Sequence, residues 1–457
     1  MQTVGTISKP YASAIAMLDK REIYRSLIDL NQDDEWVDFL KMAGKEQVFN
    51  PTGQSTGAPV YHIFYDSPLY VLIDTTGATI TGSDSKTITV TGLPVGSQNV
   101  LVVGTLLKFP DGKVGRVQTV PTAAGFTATS VDGTKLTLTA GNKLSAFSNA
   151  QEEGSNGPDP MRWDMTSLAN RIQIFRNSIQ ITDVQNMQVI ELEIDGKPHI
   201  LPYEMIKGQQ RHRGDISLAF WMGQISETLF SDSNPALSGA NGYGVQTTRG
   251  MDQYIDQYGI VDTVTTAGGV TLADITDQEA QLVAARAPRE YMVVGSHGVI
   301  AAYSDFLKGL NSSGALNSVR MNVNGREVDL MVERFTHGGF TFNLRMLNVL
   351  SNTSVINYAA AGTARLDIAK SAYFLPLGKV PTLKGGGMTD YFRYRYMVPQ
   401  AAPNGANSKT NGQTTEVMTG GLAPVPTSTQ QVLNVTWTSN MGLEIVKPQV
   451  FMKSKVL

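Results

Sequence analysis

Histidine is the residue type in this sequence best suited to metal binding or proton transfer. The chain has five histidines, which are His62, His199, His212, His297 and His337. No two of them have the His-x-x-x-His spacing that places two imidazoles on one face of a helix. Arg211 and Arg213 flank His212 and disfavour its charged form, which makes it a poor general base. The histidines therefore predict no metal site and no catalytic site.

Glycine-rich stretches and nucleophile motifs give no better candidate for an active site. Gly239, Gly242 and Gly244 are close enough for a phosphate-binding loop, but no Lys-Ser or Lys-Thr pair follows them and no strand leads directly into them. We therefore predict an ordinary loop there, and a flexible turn at the three consecutive glycines 385–387. The sequence has no cysteine, which excludes thiol nucleophiles, disulfides and cysteine-ligated zinc. We predict that the protein is not an enzyme and has no cofactor.

Lys207, Arg211 and Arg213 form the one basic cluster suited to binding a polyanion. Clustered Lys and Arg side chains contact phosphates without regard to base sequence. The same residues equally fit a solvated helix surface whose charges pair with nearby carboxylates. The sequence leaves both interpretations open.

These basic residues fall within the stretch 168–230, around which the rest of the chain is organised. Its first half alternates apolar and polar residues from Ile172 to Ile181, which is the spacing of a β-strand. Its second half changes to helical spacing, and Pro202 suits the entry of a helix. We predict a helix over 202–229, roughly 40 Å long at about 1.5 Å per residue.

The middle of this predicted helix, residues 207–214, has no apolar face. It also contains Gly208 and Gly214, and a glycine inside a helix costs up to about 1 kcal/mol relative to Ala. Packing elsewhere must therefore hold the segment, or the helix is bent or broken there. A long helix that is apolar at its end and basic at its middle indicates a structural spine with one part facing a negatively charged partner.

Length and composition favour a large, loop-rich protein. The 457 residues allow about three domains. The net charge of -3 does not indicate an overall nucleic-acid binder. A charged fraction of 17% and 44 glycines fit either a protein that buries much of its surface against partners or simply a β-rich fold. We expect no secretory signal and no membrane partner, because no segment approaches the ~20 apolar residues of a membrane span.

An inserted β module is predicted over 75–146. Its Thr-, Val- and Gly-rich runs alternate, and the pairs Asp111-Gly112 and Asp132-Gly133 each lie between two such runs, which predicts two hairpins. Insertions of this kind are tolerated at exposed loop tips.

The chain after the spine predicts a mixed α/β unit. Helices are expected over 272–286, with Asp277 as a cap, and over 299–310, with a buried strand at 291–294 between them. The remaining predictions are a hairpin at Asn324-Gly325, a loop over 403–429, strands over 432–456, and helices within 1–44 that either lie on the surface or form an arm packing on another subunit.

The segment ANRIQIFRNSIQIT, residues 169–182, resembles the pattern that ends the extended loop in one large group of phage head proteins. The long predicted helix follows at the same place as in that group, and the closing segment SNMGLEIVKPQVFMKSKVL resembles the last strand of the group. On these motifs the chain resembles the major capsid proteins of tailed bacteriophages, with the Hong Kong ninety-seven type fold. The added β module is similar in style to that of crAss-like phages.

The resemblance implies an α+β phage major capsid fold with an N-terminal arm, an extended β loop, a peripheral domain with a long spine helix, an axial mixed α/β domain and a small all-β insertion domain. The expected boundaries are 1–47 for the arm, 48–74 with 147–182 for the extended loop, 75–146 for the inserted β domain, 183–235 with 430–457 for the peripheral domain, and 236–429 for the axial domain.

The resemblance also implies a structural subunit that self-assembles into hexamers and pentamers of an icosahedral virus head enclosing double-stranded DNA. Such a chain is assembled in the host cytoplasm and carried in the virion, and Lys207, Arg211 and Arg213 would face the DNA. Its expected partners are further copies of itself, portal, scaffold, and decoration or head-fibre proteins. The competing interpretation is an extracellular β-rich adhesin or glycan-binding protein built around 75–146, which would be a stable monomer.

Overall fold

The computed structural model divides into two compact units. The first comprises Met1–Tyr61 with Ala169–Leu457, and the second comprises His62–Leu168. The residues that the structure describes are 36, 40, 44–48, 60–65, 72–92, 101–119, 125–156, 166–187, 189–194, 197–226, 244–264, 269–312, 320–323, 326–329, 334–351, 366–381, 387–397, 407–411 and 413–456.

The secondary structure of both units is mostly strand. The strands are β1 (Glu46–Val48), β2 (Val60–Tyr65), β3 (Leu72–Asp74), β4 (Thr79–Thr81), β5 (Thr87–Thr91), β6 (Thr105–Lys108), β7 (Val114–Val117), β8 (Gly125–Ser130), β9 (Lys143–Asn149), β10 (Thr166–Arg171), β11 (Gln173–Thr182), β12 (Val189–Ile194), β13 (Lys197–His199), β14 (Ile260–Thr263), β15 (Glu290–Gly295), β16 (Arg320–Val323), β17 (Arg326–Asp329), β18 (Arg334–His337), β19 (Phe340–Met346), β20 (Ser371–Pro376), β21 (Lys379–Pro381), β22 (Met388–Asp390), β23 (Phe392–Tyr396), β24 (Ser408–Asn411), β25 (Thr414–Thr419), β26 (Val432–Ile445) and β27 (Met452–Lys455). The helices are α1 (Asp183–Met187), α2 (Ile200–Met222), α3 (Met251–Tyr258), α4 (Leu272–Ala284), α5 (His297–Ser312), α6 (Asn348–Ser351) and α7 (Leu366–Lys370), with a 3-10 turn at Pro448–Val450.

The second unit is built on a seven-stranded sheet in the order β3-β9-β6-β7-β8-β5-β4. Its strands alternate, as in β8, where Phe126 and Ala128 are buried and their neighbours are not. The buried faces form an apolar cluster that includes Phe126, Leu138 and Leu144. This sheet is the predicted all-β insertion, and it begins with β3, ahead of residue 75.

One of the two predicted Asp-Gly hairpins is confirmed and the other is wrong. β6 and β7 pair antiparallel across Asp111-Gly112, where Gly112 has a φ of 82°. After Asp132-Gly133 the chain does not return along β8, and Leu136 instead forms a bridge with the segment between β4 and β5. The reason is that β8 already pairs with β5 on one edge and β7 on the other, so no edge is left for a returning strand.

In the first unit, one sheet lies beneath the long helix α2. Its strands run in the order β1-β23-β26-β25-β24, and β11 also pairs with β26. All 10 residues of β11 pair antiparallel with β26, from Gln173 opposite Met441 to Thr182 opposite Val432. Buried residues alternate along the first part of β26, so one face of the sheet turns toward α2. The predicted strand is confirmed as β11.

α2 is a continuous helix of 23 residues that ends earlier than predicted. It is roughly 35 Å long at about 1.5 Å per residue, and it is not broken at 207–214. The predicted end at 229 is wrong, because residues 223–226 are not helical. The segment at Thr248 crosses the chain at this point. It comes so close that a Cβ at Gly223 would lie 2.6 Å from the Thr248 carbonyl oxygen. The Gly250 N–H also donates to the Gly223 carbonyl at 2.8 Å, which turns the chain away.

The second sheet of the first unit is mixed, in the order β14-β27-β20-β15-β19-β18. β14 is parallel to β27 and β15 is parallel to β19, whereas the other pairs are antiparallel. α4 and α5 pack on one face through a core that includes Ile275, Tyr303 and Phe342. α3 packs on the other face, where Lys453 Nζ of β27 lies 2.6 Å from Asp252 Oδ1. Alternation and helices therefore build a layered α/β unit, as the sequence predicted.

The helix predicted over 272–286 is α4, but its cap is Thr271 and not Asp277. The Thr271 hydroxyl accepts a hydrogen bond from the Asp274 N–H, and the Asp274 carboxylate accepts one from the Thr271 N–H. This reciprocal pair is a capping box. Asp277 lies past the first turn, where the backbone N–H groups already have partners within the helix. The strand at 291–294 and the helix at 299–310 are confirmed as parts of β15 and α5.

The predicted loop over 403–429 is wrong in part, because it contains a β-hairpin. β24 and β25 pair antiparallel with Asn411 opposite Thr414, and β25 continues the sheet against β26. Composition did not distinguish β24 and β25 from a loop, because Gly, Thr and Asn occur both in loops and at the edges of strands. The hairpin at Asn324-Gly325 is confirmed, with Val323 opposite Arg326.

Strands divide between the two sheets of the first unit differently from the predicted peripheral and axial ranges. β23 and β25 belong to the sheet under α2, whereas β27 belongs to the mixed sheet. Such pairings join residues far apart in sequence, so local patterns do not reveal them. The domain boundaries, including the arm at 1–47, stay predictions, and the interpretations of Gly239, Gly242 and glycines 385 and 386 lie outside the described residues. None of the helices in the described part of the chain has the length and apolar character needed to cross a membrane.

Candidate functional site: the spine helix and its sheet

Close backbone approach holds α2 on its sheet. Gly208 faces Trp437 of β26, and a Cβ at Gly208 would lie 2.5 Å from Cζ3 of the indole. Trp437 is fixed in turn, because its Nε1 donates to Glu416 Oε2 at 2.9 Å. A glycine that weakens an isolated helix is thus required for this approach. This contact supplies the packing that we predicted would hold residues 207–214 in the helix.

His212 is a residue of α2, and its buried side chain lies at the centre of a chain of hydrogen bonds between the helix and the sheet. Its Nδ1 is 2.8 Å from Asn177 Oδ1, and its Nε2 is 2.9 Å from Ser439 Oγ. Asn177 Nδ2 donates to Asp215 Oδ2 at 2.8 Å, and Thr414 Oγ1 lies 2.8 Å from Ser439 Oγ. The chain therefore links α2 to three strands of the sheet, β11, β26 and β25.

Hydrogen-bond direction and burial together favour a neutral His212 with its proton on Nδ1. Asn177 donates through Nδ2, so its Oδ1 accepts from Nδ1–H of the imidazole. In the neutral form Nε2 then accepts from the Ser439 hydroxyl. Burial lowers the pKa of His212 below its usual value, with Asp215 opposing this shift and Arg213 adding to it. The charged form is disfavoured, as the sequence predicted, although burial is the main cause.

The other described histidines are dispersed over the molecule. His337 Nδ1 lies 2.8 Å from Glu279 Oε1, whereas His62 and His297 are exposed. No group of three or more His, Asp or Glu side chains within the described ranges is placed to hold a metal ion. The polar contacts of His212 and His337 bind the chain to itself.

The three predicted polyanion-binding residues all lie on α2, but not on one side of it. Lys207 and Arg211 are one helical turn apart, while Arg213 is rotated from Arg211 by about 200° at about 100° per residue. Arg211 and Arg213 are exposed, and the half-buried Lys207 donates to Gln210 Oε1 at 2.9 Å. The structure thus places two basic positions on one flank of the helix and one on the other flank.

A buried ion cluster lies in the same sheet, on the face that alternation turns away from α2. Glu444 of β26 has a side chain only 2% exposed and stands opposite Arg393 of β23. Arg393 Nε donates to Glu444 Oε2 at 2.7 Å, and Arg395 Nη2 donates to Oε1 at 2.8 Å. Burial alone would raise the pKa of Glu444, but the hydrogen bonds from Arg395 and Arg393 outweigh it and hold that pKa below its usual value.

Asn170 makes a second buried junction where β10 leads toward β11. Its Nδ2 donates to the Leu443 carbonyl at 2.7 Å, and its Oδ1 accepts from the N–H groups of Arg249 and Arg171, both at 2.8 Å. Thr248 Oγ1 lies 3.2 Å from the same amide nitrogen. One side chain therefore holds together β10, β26 and the segment that leads into α3.

The described networks under α2 connect the helix to its sheet, and a comparison with protein families identifies the kind of protein that contains them. The family model of the SU10 major capsid protein matches residues 30–364. The chain belongs to the SU10 major capsid protein family. A major capsid protein is a structural subunit of an icosahedral virus head and not an enzyme, so the phage capsid resemblance, the α+β fold class and the non-enzymatic function are confirmed.

Solved capsid structures are similar to this major capsid protein at low sequence identity. The capsid of Cyanophage A-1(L) shares 11% identity, with 68% of this chain and 84% of that chain covered and a TM-score of 0.41. The capsid of a native GTA particle shares 8% identity over 98% and 99% of the two chains, with a TM-score of 0.37. The capsid of Myoviridae Phage XM1 shares 12% identity over 68% and 82%, with a TM-score of 0.35. No curated protein sequence matches the chain.

The sequence motif that carried the capsid resemblance contains two of the hydrogen-bonding residues described above, the buried Asn170 and the half-buried Asn177. Asn170 and Asn177 both lie within residues 169–182, yet sequence reasoning gave neither a role. Sequence reasoning also missed Glu444 and its arginines. The available indication was a lone carboxylate in the apolar run around 441–446, with Arg393 and Arg395 at alternate positions of another strand.

Proposed function

We propose that copies of this chain assemble into hexamers and pentamers, and that the closed head encloses double-stranded DNA. The observation that carries the proposal is the match to a major capsid protein over residues 30–364. The family match favours this function over the adhesin or glycan-binding alternative.

Electron microscopy of the purified protein tests the proposed assembly. We expect closed particles with fivefold and sixfold capsomers, and light scattering dominated by large species. A mixture with scaffold protein is the second arm, because some heads close only around a scaffold. A folded monomer that persists at high concentration in both arms contradicts the proposal.

We further propose that Lys207, Arg211 and Arg213 contact the packaged DNA. The support is that Arg211 and Arg213 are exposed on α2, because exposed arginines contact phosphates without base specificity. Changing the three residues to Glu should lower the DNA content of heads while particle assembly continues. Arg176→Glu is the matched control, since Arg176 is exposed on β11 and alternation points it away from α2.

Single reversals separate the two flanks. Arg211→Glu and Arg213→Glu remove equal charge from opposite sides of the helix, so unequal losses of packaged DNA would identify the flank nearer the duplex. Normal filling in the triple variant contradicts the proposed DNA contact without affecting the capsid assignment.

The remaining partners are proposals that rest on the family alone. We propose that the head forms in the host cytoplasm with a portal, a scaffold, and decoration or head-fibre proteins. Mass spectrometry of heads and of their precursors purified from infected cells checks these partners. Heads that contain this chain and no other protein contradict this proposal.

A further inference from the structure

Helix α4 has apolar character on two opposite sides. Its inner side buries Ile275 and Leu282 in the core of the mixed sheet. Its outer side is exposed and consists of Leu272, Ala273, Thr276, Asp277, Ala280, Val283 and Ala284. Val283 is 62% exposed and Leu272 is 45% exposed. A surface helix ordinarily carries charged residues on its outer side, and Asp277 is the one charge here, so this face has the composition of an interface.

On strands β18 and β19, the mixed sheet has a face that points away from α4 and α5. Alternation and register place Arg334 and Thr336 of β18 beside Asn343 and Thr341 of β19 on that face, followed by Arg345. Arg334, Thr336 and Arg345 are exposed, and Thr341 and Asn343 are half-buried. α3 contacts the same face at β27 and β20, through Lys453 and Tyr373. Among the residues that the structure describes, no helix packs on the β18–β19 half of this face.

These two surfaces are complementary in charge. The outer side of α4 is a helix face of small and apolar residues with one central carboxylate, and the open half-face is a strand surface with two arginines. A helix packed on a sheet face is the arrangement that α4 and α5 already make on the other side. The two surfaces lie on opposite sides of the mixed sheet, so their contact is head-to-tail between copies, and such contacts form a ring when the rotation between copies closes.

We propose that the outer side of α4 in one copy packs on the β18–β19 face of the next copy, with Asp277 facing Arg334 and Arg345. The proposal rests on the proposed ring of copies, and it names the surfaces that such a ring uses.

Cross-linking through introduced cysteines tests the contact, because the natural chain has none. We would combine Ala280→Cys on α4 with Thr336→Cys on β18, assemble particles under reducing conditions, and add a short bis-maleimide. Denaturing gels should then show a ladder that ends at covalent pentamers and hexamers. The control pairs Ala280→Cys with Ser178→Cys, an exposed residue of β11, and should give monomers.

Particles that form capsomers but give no more cross-links than the control overturn this contact and leave the proposed function intact. Failure of the unmodified chain to form capsomers in microscopy overturns the proposed function instead. The two results are read from separate samples, so they are distinguishable.

Charge reversal gives a second test that does not depend on the cysteine positions. Asp277→Arg alone, or Arg334→Asp with Arg345→Asp, should lower particle yield by at least about tenfold, since like charges that meet across an interface are strongly unfavourable. Combining all three changes should restore assembly. Circular dichroism of each unassembled variant confirms that the chain is folded. A combined variant no better than its parents overturns the proposal.

The apolar part of the surface has its own matched pair. Val283→Asp should block particle formation, whereas Val131→Asp, at a valine of the other unit that is 60% exposed, should not. Equal yields from these two variants count against α4 as an interface.

Discussion

The sheet under α2 and the sheet of the 62–168 unit are held together in different ways. The insertion buries apolar side chains, and the buried polar residues among its described positions are the neutral Thr75 and Thr105. On the two faces of the sheet under α2, His212, Ser439 and Glu444 are buried and form hydrogen bonds or ion pairs. Apolar burial is non-directional, whereas each of these polar contacts exists in one strand register only. Burial thus stabilises the insertion, and polar bonds additionally fix the alignment of the spine.

Removal of the buried carboxylate from the sheet under α2 should have the largest effect on stability. Glu444→Ala should lower the free energy of unfolding of the unassembled subunit by about 3–5 kcal/mol, because Arg393 and Arg395 would remain buried without their partner. Hydrogen exchange should accelerate in β23 and β26 first. Glu152→Ala, at an exposed residue, should stay within about 0.5 kcal/mol of the natural chain. A loss below 1 kcal/mol for Glu444→Ala would mean that water replaces the ion cluster.

The counterpart in the insertion is an apolar deletion. Leu138→Ala should cost about 2–5 kcal/mol through lost burial and the cavity that remains. We expect the faster hydrogen exchange to be confined to peptides within 62–168. Val131→Ala is the matched exposed control and should have little effect on stability. Exchange that rises equally in β26 would show that the two sheets unfold together.

For Gly208→Ala, helix propensity and packing predict stability changes of opposite sign. Ala is favoured over Gly by up to about 1 kcal/mol in a helix. Overpacking against the indole of Trp437 should outweigh this and destabilise Gly208→Ala by about 1–3 kcal/mol. Denaturant unfolding measures the difference. Arg211→Ala, on the exposed side of the same helix, should change stability little, and a stabilised Gly208→Ala variant would contradict the close approach.

The smallest expected effect is the pH dependence that His212 confers. Its pKa is lowered in the folded state from 6.5, so below about pH 6.5 the unfolded chain binds more protons than the folded chain. The stability contribution is complete above that pH and declines as the pH falls toward the folded-state pKa. His212→Gln should flatten this decline in urea midpoints measured across the acidic range. His297→Gln, at an exposed histidine, should retain it.

Local pattern predicted the elements of both regions better than it predicted their contacts. Alternation and helical spacing identified β11, β15, α4 and α5 because these periods are properties of a single segment. The partners of Glu444 were not predictable in this way, since Arg393 is 51 residues away in sequence. The end of α2 at Met222 was missed for a related reason, because the backbone that stops it belongs to Thr248 and Gly250.

Local sequence pattern also failed to predict how the basic residues of α2 are distributed on the surface. Lys207, Arg211 and Arg213 are neighbours in sequence, and the helical rotation distributes them over two flanks. Whether both flanks touch one duplex depends on neighbouring copies of the subunit, which no single chain encodes as a local pattern. The capsid resemblance succeeded where local pattern failed because residues 169–182 carry Asn170 and Asn177, whose contacts belong to the whole fold.

The strands that frame the insertion have a consequence for how this chain can change. β2 and β10 pair with one another, and the boundaries of the 62–168 unit fall within these two strands. The chain therefore leaves and re-enters the larger unit at adjacent points. Any domain whose own termini are close together can be transplanted at this position without lengthening the path of the surrounding backbone. A foreign domain of this kind, grafted between β2 and β10, would be present once per subunit.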